Sequence, residues 1–273
     1  MVTFPNSKIN LGLNILRKRD DGFHDISTLF YPIPFNDALE LISHPVKNSR
    51  PEFTTSGFVI EGNPEDNLCL KAYHALKQDH PDLPPVKIHL LKSVPIGAGL
   101  GGGSADAAFL LRMLIEKFNL LVSPEKLHQY AIRLGSDCPF FLINQPRIAT
   151  GRGEILEEIT LDLSPYKIIL VNPGIRVNTA WAFSLITPGI PETGIKEVIS
   201  KPVESWKNKL KNDFESPVFS EFPEIKFIKD ELYKQGAVYA AMSGSGSTVF
   251  GIFDKTSSPS LFAGKNYLIK IIG

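Results

Sequence analysis

Only two cysteines, Cys69 and Cys138, occur in 273 residues, too few for a disulfide framework and not spaced as a metal knuckle. That scarcity fits a reducing compartment, so a cytoplasmic protein is expected. Charge of one sign is also missing. Lys and Arg number 29 against 29 Asp and Glu, so the chain lacks the basic excess that long nucleic-acid contacts or an anionic membrane surface call for. No apolar run approaches the roughly 18 residues of a membrane span. The opening Met-Val-Thr-Phe-Pro-Asn-Ser-Lys has no charged stretch leading into an apolar one, so a soluble, unprocessed chain is expected. The six histidines fall in no metal-ligand spacing. These absences leave a small charged ligand in a local pocket, with neither nucleic acid nor membrane as partner.

What the chain does have is glycine, concentrated in one place. Pro95-Ile-Gly-Ala-Gly-Leu-Gly-Gly-Gly-Ser-Ala-Asp106 carries glycines at 97, 99, 101, 102 and 103 and runs straight into an apolar helical pattern. Bare backbone that tolerates positive φ lets successive N–H groups converge on an anion at a helix N-terminus, where the dipole also favours negative charge. The segment predicts a phosphate cradle, against the blander alternative of a structural turn. A second small-residue loop, Ser243-Gly-Ser-Gly-Ser-Thr248, reads either as a further anion contact or as a plain hairpin connection.

The length allows two moderate domains, residues 1–152 and 153–273, with the boundary near the turn-rich Ile148-Ala-Thr-Gly-Arg-Gly153. Ile9 to Leu16, Ala38 to Ile42 and Phe58 to Ile60 read as strands. Leu68, Ala72, Ala75 and Leu76 recur at helical spacing behind Asp66-Asn67, and Val86 to Leu90 alternates as a half-buried strand does. Ser104 to Phe118 is apolar nearly all round and predicts a buried helix, a fixed platform for the glycine loop. A further helix, Pro124 to Leu134, leads into Gly135-Ser-Asp-Cys-Pro139. Beyond the boundary, Tyr166 to Val171 reads as a strand and Pro223 to Gly236 as a helix striped by Ile225, Ile228 and Leu232. Ala237 to Met242 and Val249 to Phe253 form a hairpin candidate. Between Pro188 and Pro217 only a short helix around Trp206 is expected.

Residues 97 to 102 satisfy G-x-G-x-x-G, but a dinucleotide-binding unit also needs an acidic residue about 20 positions on, at the end of the next strand. The corresponding stretch, Leu120 to Glu125, is a turn and a helix start. No Gly-Lys-Ser/Thr follows the glycines, and neither serine-bearing loop completes Gly-x-Ser-x-Gly. One histidine stands apart from the others. In Arg17-Lys-Arg-Asp-Asp-Gly-Phe-His24 a charged turn around Gly22 delivers an aromatic and an imidazole together, a combination suited to a flat heterocycle or simply a turn with one buried Phe.

Taken together, Pro5-Asn-Ser-Lys-Ile-Asn-Leu11, Arg19-Asp-Asp-Gly-Phe-His24, Pro95 to Asp106, Gly135-Ser-Asp-Cys-Pro-Phe-Phe141 and Met242-Ser-Gly-Ser-Gly-Ser247 resemble the GHMP small-molecule kinases. The Lys-Ile-Asn-Leu start, the Asp-Gly-Phe-His turn and the triple-glycine loop are similar to the branch that acts on a cytidine-diphosphate methylerythritol in the non-mevalonate route to isoprenoid precursors. The resemblance implies a two-lobed α+β fold, with an N-terminal lobe like ribosomal S5 domain 2 and a ferredoxin-like C-terminal lobe. It also implies transfer of the ATP γ-phosphoryl group to the substrate 2-hydroxyl with Mg²⁺.

Residue by residue, the resemblance implies Asp137 as the general base and Lys8 as the cation beside it, a pairing with sound chemistry because a carboxylate near a cation stays ionised. It implies Asn67 and Lys92 beside the adenine. Around the phosphates it implies Pro95, Ile96, Gly97, Ala98, Gly99, Leu100, Gly101, Gly102, Gly103, Ser104 and Ala105. For the substrate it implies Asn10, Phe23, His24, Asp137 and Phe183, with Trp181 a rival for the cytosine stack. Ala105 stands where the family usually carries a second serine. The Mg²⁺ ligands are therefore open, with Ser104 a candidate and Asp106 either a helper or a helix cap. A monomer or a homodimer fits. Other readings are a GHMP kinase for homoserine, mevalonate or a sugar, a non-catalytic nucleotide binder, and, more distantly, an NAD-dependent oxidoreductase.

Overall fold

The computed structural model describes residues 1–46, 49–260, 262 and 264–273. In chain order the strands are β1 (Val2–Thr3), β2 (Asn6–Lys18), β3 (His24–Asn36), β4 (Ala38–Ser43), β5 (Glu52–Gly57), β6 (Val86–Lys92), β7 (Arg147–Thr150), β8 (Ile155–Glu158), β9 (Tyr166–Asn172), β10 (Tyr239–Met242), β11 (Val249–Asp254) and β12 (Leu268–Ile272). The helices are α1 (Leu68–Asp79), α2 (Gly102–Lys117), α3 (Pro124–Leu134), α4 (Cys138–Ile143), α5 (Thr179–Ser184), α6 (Ile195–Ile199), α7 (Glu215–Glu221) and α8 (Pro223–Lys234).

Two compact units share the chain, and neither is one continuous stretch. The first takes Met1–Ser7, Pro34–Ile96 and Gly101–Gln145; the second takes Lys8–Ile33, Gly97–Leu100 and Pro146–Gly273. The boundary expected after residue 152 lies close to the switch at Pro146. The earlier switches fall inside β2, inside β3 and inside the glycine loop, where an unbroken strand or loop leaves no compositional signal.

In the first unit a mixed sheet runs in the order β1-β4-β6-β5. Leu39 and Leu41 of β4 lie opposite Leu90 and Ile88 of antiparallel β6. Alternation then puts the apolar residues of both strands on one face, where Leu70, Tyr73 and Leu76 of α1 and Leu110, Leu111 and Leu114 of α2 join them in the core. The ends of these helices follow from local chemistry. Asn67 caps α1 by accepting from the Cys69 N–H, and Ser123 caps α3 ahead of Pro124. The strand expected at Phe58 to Ile60 lies instead at Glu52–Gly57, parallel to β6. At the sheet's edge and exposed along most of its length, it needs little apolar content, and Thr54 and Ser56 each bond the His89 ring.

The second unit holds two sheets, β2-β3-β7-β8 and the antiparallel β10-β11-β9-β12. The β10–β11 hairpin closes at Met242 opposite Val249, as expected. Its inner face packs on Ile225, Ile228 and Leu232 of α8. At Trp206 the structure has a 3₁₀ turn, Val203–Ser205, with the fully buried indole donating to the Lys201 carbonyl. α6 and α7, both short, fell in or beside the stretch with no readable period.

Candidate active site

The glycine loop is held differently in each unit. In the second, Gly97–Leu100 is threaded between β2 and the 243–248 loop. The Lys8 N–H donates to the Leu100 carbonyl at 2.9 Å and the Thr248 N–H to the Ala98 carbonyl at 3.3 Å. Ser243 links all three segments: its hydroxyl donates to the Gly99 carbonyl at 2.7 Å and accepts from the Asn10 N–H at 3.1 Å. A methyl group on Gly99 would stand 1.9 Å from the Ser243 carbonyl oxygen, so the close approach itself requires glycine there. The serine-rich loop is thus more than a hairpin connection; it is the wall against which the glycine loop is set.

Lys8 and Asn10 sit beneath this junction, 4% and 2% exposed. The Lys8 ammonium donates to Asn10 Oδ1 and lies 4.8 Å from the Phe30 ring centre. Asn10 donates through Nδ2 to Thr28 Oγ1 at 2.9 Å. The residue expected to meet substrate is therefore also engaged inside the protein.

In the first unit the loop continues into α2. Gly101, at φ 70°, forms a left-handed N-cap, and no side chain caps the helix. The N-terminal amides of α2 are thus not taken by a capping side chain, and a Cβ at Gly103 would meet nothing within 4 Å, an arrangement that suits a phosphate oxygen. Ser104, in the first turn, lies beside the Cys138 thiol, whose pKa burial pushes up to about 12 against the opposing effect of Ser104. Asp137 precedes Cys138 at the N-cap of α4, so the phosphate-loop serine and the expected general base belong to neighbouring turns of one unit. Ala105 is fully buried, which leaves Ser104 as the hydroxyl of this turn. Among the described residues no cluster of His, Cys, Asp or Glu is placed to hold a metal. Such a donor set would suit an Mg²⁺ carried mainly by phosphate oxygens, to which Ser104 would offer a hydroxyl.

Lys92 is no surface charge. It is 3% exposed and bonds Asp106 Oδ2 at 2.9 Å as well as Asp37 Oδ2. Burial works against its ammonium, but Asp106 and Asp37 outweigh that and raise its pKa. Asp37 also accepts from the Ser93 and Val94 N–H groups at 2.6 and 2.8 Å, fixing the chain just before the glycine loop. Asp106 is thus part of an ion triad rather than a helix cap.

The third element is the turn between β2 and β3. Arg19 pairs with Asp21 and Asp25, and the Arg19 N–H donates to the Phe23 carbonyl at 2.8 Å, which closes the turn around Gly22. His24 then stacks on Phe183, ring centres 4.7 Å apart and planes 13° apart. Phe183 in turn meets Phe214 edge-on at 4.8 Å. Phe23 is half exposed beneath the Arg152 guanidinium, 4.7 Å from the ring centre. Burial, helped by the Lys18 charge, holds His24 below its ordinary pKa and so in the neutral form. Trp181 faces Phe222 instead. Sequence reasoning missed Arg152, Asp37 and Thr28. Only Arg152 had a local signal, its place in the Ile148 to Gly153 turn.

The model of the GHMP kinases N terminal domain matches residues 67–145, and that of GHMP kinases C terminal matches 195–264. The chain is 54% identical over 255 residues to a 4-diphosphocytidyl-2-C-methyl-D-erythritol kinase of Bacteroides fragilis, covering 93% of this chain and 92% of the relative. The enzyme of that name from Parabacteroides distasonis is 51% identical at the same coverage. Among solved structures, a 4-(cytidine 5'-diphospho)-2C-methyl-D-erythritol kinase is similar with TM-score 0.76 and 31% identity, over 92% of this chain and 90% of that one. A homoserine kinase from Cytophaga hutchinsonii, 14% identical with TM-score 0.63 over 98% of this chain and 95% of that one, shares the fold.

Proposed function

The chain belongs to the GHMP kinase family, and from that premise we propose how its residues perform the reaction. It is an ATP-dependent kinase that phosphorylates the 2-hydroxyl of 4-diphosphocytidyl-2-C-methyl-D-erythritol. The observation that carries the reading is the glycine loop bonded on one side to β2 at Lys8 and on the other to Ser243 and Thr248. Glycine, lysine and serine-rich segments that lie far apart in sequence are gathered around one stretch of bare amides.

Asp137 accepts the proton of the substrate hydroxyl, because an alcohol is a poor nucleophile until that proton is taken. Lys8 supplies positive charge where negative charge must be stabilised, on the transferring phosphoryl group; this transfer needs electrostatic support more than covalent help. Gly97 to Ala105, with Pro95 and Ile96 leading in, wrap the phosphates. Ser104 would hold an Mg²⁺ brought in with ATP, which would supply neutralisation of the phosphate charge. Asn67 lies beside the adenine, and Lys92 shapes that wall by holding Asp37 and Asp106 together. Phe183 stacks on the cytosine, His24 reads its donor and acceptor edge, and Phe23 walls the pocket. Asn10 contributes through the Lys8 ammonium it receives. The protein works in the cytoplasm as a monomer or homodimer.

Asp137→Asn is the deciding variant. Turnover with Mg·ATP and the cytidyl substrate should fall by about 10²–10⁴-fold while ATP affinity, read by nucleotide titration, stays within a few-fold. Unchanged turnover would remove Asp137 as the base. Homoserine, mevalonate and a hexose, offered as competing acceptors, should be phosphorylated far less well than the cytidyl substrate.

A further inference from the structure

We propose that Thr28 is a positioning residue for this reaction: its hydroxyl fixes which way the Asn10 carboxamide faces, and thereby holds the Lys8 ammonium in place. The inference rests on the reading of Lys8 given above.

Thr28 is fully buried, and its hydroxyl has a single proton. Its first partner, 2.5 Å away, is the carbonyl of Gly12, which can only accept. The Thr28 proton is therefore committed, and toward its second partner Oγ1 must act as acceptor. That partner, 2.9 Å away, is the Asn10 carboxamide. Only the amide nitrogen can donate, so Nδ2 faces Thr28 and Oδ1 is turned to the other side. There it meets the Lys8 ammonium, which only donates. Orientation passes along a chain of forced choices: the Gly12 carbonyl sets Thr28, Thr28 sets Asn10, and Asn10 receives Lys8.

The alternative orientation is penalised twice. A flipped carboxamide would point two N–H groups at an ammonium and present an oxygen to a hydroxyl whose proton is already used. In a buried site, unmatched polar groups of this kind are costly. The Asn10 backbone is pinned separately, by its N–H to Ser243, so only its side-chain orientation depends on Thr28. Loss of the threonine acceptor leaves the fold of β2 and β3 largely served by backbone pairing, yet frees the group that receives Lys8. Small misplacements of a reacting group cost rate out of proportion to their size.

The test compares Thr28→Val, which keeps the shape but removes the acceptor, with Thr28→Ser, which keeps the hydroxyl. Lys8→Met serves as reference. Thr28→Val should lower kcat on the order of 10- to 100-fold, with KM for ATP within about twofold and thermal unfolding still cooperative. Thr28→Ser should restore most of kcat, and Thr28→Val added to Lys8→Met should cost little further. Should the valine variant fail to fold, Thr28→Ala removes the same acceptor with less bulk and takes its place. Wild-type kcat in Thr28→Val alongside an inactive Lys8→Met would overturn the role of Thr28 and leave Lys8 standing. An equal loss in Thr28→Ser and Thr28→Val would also overturn it, since the hydroxyl would then not be the cause. Full activity in Lys8→Met would overturn the reading of Lys8, and the role of Thr28 with it.

Discussion

His24 and Phe183, on segments far apart in sequence, stack face to face with ring centres 4.7 Å apart and planes 13° apart. On the proposed reading, cytosine takes the Phe183 face that the neutral imidazole covers here and the imidazole turns to the edge of the base, while Phe214 meets Phe183 in a T-shaped contact. Truncating Phe183 to alanine should raise KM for the cytidyl substrate about 5- to 100-fold, the range of one lost base stack, with kcat changed much less. Trp181→Ala, at a residue that faces Phe222, should have the smaller effect. Steady-state kinetics of the two variants decides between them, and a larger KM effect at Trp181 would reassign the stack.

The imidazole carries a pH signature of its own. Burial and the nearby Lys18 hold its pKa below the ordinary value, so His24 is neutral at pH 7 and offers one donor and one acceptor. Protonation leaves donors only. Affinity for the cytidyl substrate should therefore be flat from about pH 7 to 8 and weaken only as pH falls through the lowered pKa, below about 6.5. ATP affinity should not follow the same curve. His24→Gln, which does not titrate, should lose the acid limb; an unchanged limb would place the titrating group elsewhere.

Gly99 and Gly97 make a controlled pair. Both have positive φ, but a methyl group at Gly99 would stand 1.9 Å from the Ser243 carbonyl oxygen, whereas at Gly97 nothing lies within 4 Å. Gly97→Ala should cost only backbone strain, about 1 kcal/mol. Gly99→Ala must also push the two loops apart, adding about 1–3 kcal/mol, and should weaken ATP binding by tenfold or more (about 1.4 kcal/mol per tenfold). Denaturant unfolding and nucleotide titration measure the two effects. Equal behaviour of the two variants would mean the loops do not depend on that close approach.

The triad of Lys92, Asp37 and Asp106 should appear in stability. Burial raises the Asp106 pKa to about 7, with Lys92 opposing the shift and Asp37 adding to it. Between about pH 4 and 7 the folded chain then holds a proton that the unfolded chain releases, so stability falls as pH rises through that window. Asp106→Asn is neutral throughout and leaves Lys92 paired with Asp37. It should flatten the decline by on the order of 1 kcal/mol or more, as read by urea unfolding at pH 5 and pH 7.5. A decline just as steep in the variant would show that the proton resides on another group.

The legible parts of this protein are those whose chemistry is local. Five glycines between residues 97 and 103 announce backbone that needs room or positive φ. Val86, Ile88 and Leu90 alternate because one strand face is buried. Asn67 and Ser123 cap helices within two or three residues of themselves. The illegible parts are of a different kind. The edge strand at Glu52–Gly57 is polar because it lies exposed along most of its length, and nothing in Thr54-Thr55-Ser56 says which neighbour it will find. Lys92 at a strand end has the composition of a surface charge, yet it is buried between two aspartates 55 and 14 positions away.

By itself, then, the sequence determined where the backbone must be bare, where helices start, and which residue types a phosphoryl-transferring site would draw on, because these follow from steric freedom, periodicity and functional-group chemistry within a few residues. Only the tertiary structure decided which polar atoms answer one another. Asn10 meets Ser243 across 233 positions, and His24 lies flat on Phe183. Such pairings depend on burial: away from water each donor must find an acceptor, and which one stands within reach is settled when distant strands and loops pack together.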